Sequence, residues 1–189
     1  LTSGPTNTAV GFEALKSNDT GEGNVAIGYR ALDANDGGNV NVAIGVDALG
    51  NYSGSYSVAI GREALRDVAS GNGHTAIGLG ALAGVTSGLR NTAVGYVAGN
   101  DITSGNYNVL MGYNAGSKLT TASACVAIGQ GAMMTHTTGG SNIAIGHNAF
   151  VDSDAGSNSL SSADNIFIGQ DAGGGTHANA ESSRNIAIG

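Results

Sequence analysis

A glycine that returns every 17 residues constrains this chain more than any other feature. It stands at Gly11, Gly28, Gly45, Gly61, Gly78, Gly95, Gly112, Gly129, Gly146, Gly169 and Gly189, with successive spacings of 17, 17, 16, 17, 17, 17, 17, 17, 23 and 20. Each glycine closes a similar phrase, such as "NTAVG" at 7–11, "NVAIG" at 24–28 and "SVAIG" at 57–61. One place before it stands Val, Ile or Met, and three places before it always a β-branched residue. The position between them is Ala except at Leu110 and Phe167, and the one ahead of them is Asn except at Ser57, His74 and Cys125. Ala recurs three places after the glycine, from Ala14 to Ala172.

Four residues alternating in this way have the period of a strand, with the β-branched pair on one face and Asn and Ala on the other. The glycine marks a sharp bend or a close backbone approach. A second short segment ("xxAL") and a Ser/Thr/Asn/Gly-rich turn such as "TSG" complete the circuit. Seventeen residues are too few for a strand–helix–strand unit, which needs about 30. They suit one coil of a parallel β-solenoid with two short strands and a return turn. One coil buries about three apolar side chains at roughly 1.5–3 kcal/mol each, against roughly 1–2 kcal/mol per residue to order its backbone. A lone coil therefore cannot fold, whereas a stack of about eleven can.

The expectation is an all-β chain forming one solenoid domain over 1–189, with regular coils at 7–150 and looped coils at 151–189. Val25 and Ile27, with their counterparts, are expected to form the coil's own core. The Ala column has two readings: a small residue in a cramped coil interior, or a face that another chain approaches closely. Uncapped terminal coils expose pairing edges, so the natural chain is expected to continue into other segments.

Composition bounds the function. Glycine supplies 33 of the 189 residues without a collagen period, aromatics are 5%, and 41% hydrophobic content argues against disorder. A net charge of −7, from 14 acidic and 7 basic residues, disfavours nucleic acid and anionic membranes as partners. No apolar run approaches the roughly 18 residues that insert into a bilayer. Cys125 is alone, so no intrachain disulfide forms.

No catalytic constellation stands out. His74, His136, His147 and His177 occupy different repeat positions. His74 and Cys125 replace the usual Asn, which reads as occupation of a hydrogen-bonding slot rather than metal binding or nucleophilic chemistry. "GGGT" at 173–176 lacks the Lys-Ser/Thr of a phosphate loop. Asp33 with Asp36, and Asp152 with Asp154, read as solvated turn residues. Threonines are scattered over turns, which argues against ice binding. The expectation is a non-enzymatic chain without metal or cofactor. The long intervals place extra residues in loops at 151–164 and 174–184, and such insertions often collect on a binding face. Asp152, Asp154, Asn158, His177, Asn179 and Arg184 are the candidate receptor contacts there.

The repeated "NTAVG", "NVAIG" and "SVAIG" resemble the head repeat of trimeric autotransporter adhesins, the YadA-like left-handed parallel β-roll. "NTAVGxxAL…TSG" at a 17-residue period is similar to versions in bacteriophage tail fibres. The resemblance covers residues 7–189, although autotransporter heads usually have shorter coils. It implies a side-by-side homotrimer whose inter-chain face is the Ala column: Ala9, Ala26, Ala43, Ala59, Ala76, Ala93, Ala127, Ala144 and Ala187. It also implies an extracellular segment, on a virion or a bacterial surface, that attaches to a host glycan or protein. The alternative is a purely structural spacer.

Overall fold

The computed structural model describes residues 5–68, 71–151, 162–174 and 183–189. These form a parallel β-solenoid with no helix among the described residues. The strands are β1 (Thr8–Val10), β2 (Val25–Ile27), β3 (Val42–Ile44), β4 (Val58–Ile60), β5 (Thr75–Ile77), β6 (Thr92–Val94), β7 (Val109–Met111), β8 (Val126–Ile128), β9 (Ile143–Ile145), β10 (Ile166–Ile168) and β11 (Ile186–Ile188). They make one eleven-stranded sheet in sequence order. The register is exact from coil to coil: Ala26 pairs with Ala43, and Ile27 with Ile44. It survives both long intervals, with Ile143 opposite Ile166 and Ile166 opposite Ile186. The extra residues therefore leave the ladder untouched.

Each coil has one strand of three residues, not the two that were expected. The return segment hydrogen-bonds from coil to coil, as when the Leu32 N–H donates to the Ala48 carbonyl at 2.9 Å. Yet its backbone is not extended. Leu15, Leu32, Leu49 and Leu65 all take φ of 52–53°, and Glu13, Arg30 and Asp47 take 51–57°. Left-handed residues cannot propagate a strand. For a leucine that conformation costs roughly 1–2 kcal/mol, which its complete burial, worth roughly 1.5–3 kcal/mol, offsets.

The Ala column follows the first of its two readings, a small residue in a cramped coil interior, while the β-branched pair faces outward against the expectation. Ala26, Ala43, Ala59, Ala76, Ala93, Ala127 and Ala144 are 0% exposed within the single chain. Ala9 and Ala187, in the first and last coils, are partly buried and pack on the same core. The β-branched residues point outward, with Ile27 and Ile77 each 38% exposed and Val10 56%. An Ala column lodged inside its own coil has no surface to offer a second chain, so the expected inter-chain face is corrected.

The reason is volume. The side chain four places after the glycine, Leu in five coils and Met133 and Phe150 in two more, fills the narrow interior from the return segment, and only Ala fits across from it. The exceptions show the balance. Where the leucine slot holds Gly99 and Gly116, the strand supplies Leu110, whose Cδ1 lies 2.6 Å from where a Cβ on Gly99 would stand. Where that slot holds Gly173, the strand supplies Phe167, whose ring occupies the vacated space. Between the strand Ala position and the slot across from it, the close-packed interior takes one large side chain where both cannot fit.

Polar columns tie the coils together. The side chain of each interior Asn bonds in two directions. The Oδ1 of Asn24 accepts from the Asn41 N–H at 2.9 Å, and its Nδ2 donates to the Gly38 carbonyl at 2.8 Å. Asn91 repeats this with Asn108 and Gly105. The repeated glycine closes the strand for two reasons. At Gly28 φ is 136°, and a Cβ would stand 2.5 Å from the Gly45 carbonyl oxygen of the next coil.

Candidate functional site

Among the singled-out polar residues, the structure finds variants of the Asn column rather than reactive centres. Ser57 is too short to reach the neighbouring carbonyl, and Tyr52 replaces it: the phenol meets Ser57 Oγ at 2.6 Å and donates to the Gly71 carbonyl at 2.9 Å. Burial pushes the Tyr52 hydroxyl up to about 12, against the opposing hydrogen bond with Ser57. His74 imitates Asn: its Nδ1 accepts the Asn91 N–H at 3.3 Å, and its backbone N–H donates to Ser57 Oγ at 3.0 Å. Nδ1 must be unprotonated to accept, so the proton sits on Nε2. Burial holds His74 down at about 4. Cys125 keeps the slot with a weaker bond, Sγ to the Gly139 carbonyl at 3.5 Å, and burial pushes its thiol up, away from the nucleophilic thiolate.

Among the described residues the histidines gather with no other metal-ligating side chains. His136 is buried, with Nε2 2.9 Å from the Gly139 carbonyl and its ring tilted on Phe150. His147 is exposed, and His177 lies outside the described residues. Asp33 is taken up by Arg30 at 3.0 Å, while the Asp36 carbonyl accepts from Thr20. Of the candidate receptor contacts, Asp152, Asp154, Asn158, His177 and Asn179 lie outside the described residues. Arg184 is exposed, with φ 66° and its N–H donating to the Ala163 carbonyl at 3.3 Å.

Two features escaped the sequence reading. One is a threonine column: the hydroxyls of Thr86, Thr103 and Thr120 each donate to the carbonyl 17 residues on, at 3.1–3.2 Å. The other is the outward face of the sheet. Aromatics flank its β-branched columns, with Phe12 stacked on Tyr29 (5.7 Å) and Tyr96 on Tyr113 (5.2 Å). Tyr107 lies under the Arg90 guanidinium at 5.7 Å. The ten coil steps make this face about 48 Å long, and the exposed Arg62, Gln130, His147 and Gln170 interrupt the flanking column. The recurring aromatic after the glycine was legible at Phe12, Tyr29, Tyr96 and Tyr113, but only the outward β-branched columns give it meaning.

No family model, no curated protein and no solved structure matches this chain.

Proposed function

We propose that this chain is a non-enzymatic segment of an extracellular fibre, resembling a YadA-like head or a bacteriophage tail-fibre repeat, that assembles as a homotrimer and attaches to a host or other surface. The observation that carries this reading is the outward face of the sheet, where β-branched side chains and stacked aromatics stand exposed along the coils. Hydration of such a face is unfavourable, and pairing it with copies of itself removes the cost along the whole rod. The contact face is then the outward Val/Ile columns, not the Ala column. Exact register supports a second reading, a spacer that holds another part of a fibre at a distance.

Flow cytometry with the labelled native fibre on candidate host cells separates the two. Saturable binding supports attachment, and a folded oligomer that binds no cell leaves the spacer.

A further inference from the structure

The return segments carry a polar groove that the solenoid scaffold does not require. Two adjoining clefts, of about 360 and 300 Å³, meet at Asn100 and Asp101. Neither takes a residue from a strand, so the groove stays clear of the outward sheet face. It is notched by the small residues Ala83, Gly84 and Ser117 between longer neighbours. Its polar groups are held in place by one another. Asp101 accepts from Asn100 Nδ2 and from Lys118 Nζ, each at 2.8 Å, and Arg66 clamps Asp67 through Nε and the terminal nitrogen at 2.7–3.1 Å. These carboxylates keep lone pairs, and Lys118 keeps N–H donors, for a ligand.

We propose that this groove binds an extended, uncharged saccharide chain. Charge, pitch and chemistry each select that class. Two acids, Asp67 and Asp101, stand against two bases, Arg66 and Lys118, so the groove attracts neither polyanions nor polycations. The coils from Arg66 to Thr135 span four steps, about 19 Å, at a pitch of about 4.8 Å. That pitch is close to the rise of one sugar unit in an extended β-linked polysaccharide. An extended peptide repeats a side chain on one face every ~6.7 Å and falls out of step with the coils. Paired carboxylate, amide and ammonium groups match vicinal hydroxyls, and Val97 and Met134 offer apolar surface to ring C–H groups. The proposal deepens the attachment reading and rests on it.

The test uses the native chain on an array of neutral and charged glycans, followed by titration with cellotetraose and chitotetraose. The variants are Asp101→Ala and Lys118→Ala, with Lys16→Ala, whose Glu13 pair lies outside the groove, as control. The expected result is binding to a neutral β-linked oligomer that both groove variants weaken roughly ten-fold or more while Lys16→Ala does not, with melting temperatures unchanged. Binding confined to sulfated or sialylated glycans, or binding that both groove variants leave intact, overturns the groove and leaves attachment standing. So does binding to cells with none to the array. A folded chain that binds neither cells nor glycans overturns both.

Discussion

Leu110 carries the packing rule of the coil in one side chain. It replaces Ala on the strand because Gly99 and Gly116 vacate the leucine slot on either side of it. Leu110→Ala is expected to cost about 2–5 kcal/mol by leaving a cavity. Adding Gly99→Leu and Gly116→Leu should restore most of that loss and return these coils to the common pattern. Thermal unfolding of the single and triple variants checks this. His74 gives the second expectation at this scale. Its folded value of about 4 lies below the ordinary 6.5, so protons bind the unfolded chain first. Its share of stability is intact above pH ~6.5 and is lost as pH falls towards about 4, by up to about 3 kcal/mol. His136 is shifted downward by burial as well and adds in the same direction. His74→Asn restores the usual column and should lower the pH midpoint of acid unfolding followed by circular dichroism. An unchanged midpoint would contradict this account of His74.

At the scale of the element, the strand phrase was legible and its orientation was not. Alternation identifies the residues that share a face, and the pairing of Asn with Ala on one side was correct. It cannot tell which side is inward. The β-branched pair is larger and more apolar than Ala, so burial of the pair was the natural expectation. What decides it is the leucine across the coil, which leaves room only for a methyl group. That trade was written in the sequence, in Leu110 with Gly116 and Phe167 with Gly173, but it reads as compensation only once the two segments are known to face each other. The second strand failed as an expectation because Leu32 and its equivalents are held in left-handed geometry. No local preference announces that. The Asn column offers the test at this scale. Asn108 Oδ1 accepts the Cys125 N–H at 2.9 Å, and Nδ2 donates to the Ala122 carbonyl at 2.9 Å. Asn108→Ala strands both groups and should cost about 2–4 kcal/mol. Amide hydrogen exchange should show the loss of protection centred on residues 122–125.

For the whole molecule, the solenoid explains both the repetition and a core drawn out along the stack of coils. Each coil lends its Leu, Ala and Asn to columns shared with its neighbours, so stability accrues along the rod. The period made that architecture legible. The candidate site was less so: most of the expected receptor contacts lie outside the described residues, and the groove at Asn100 and Asp101 forms from turn residues 17 apart. The period sets its lining in line, at 66, 83, 100, 117 and 134 and the positions after them, but the residue types differ from coil to coil and no repeated letter marks them. The outward face makes the central claim, that copies of this chain meet through Val and Ile columns while Ala is sealed inside. Light scattering coupled to size exclusion tests it on the native chain, Ile60→Glu with Ile77→Glu, and Ala76→Glu. The account predicts a native mass three times that of the 18.5 kDa chain. It predicts a monomer with intact β circular dichroism for the Ile pair, and loss of the fold for Ala76→Glu. A native monomer, an Ile-pair variant that remains trimeric, or a folded Ala76→Glu monomer would contradict it.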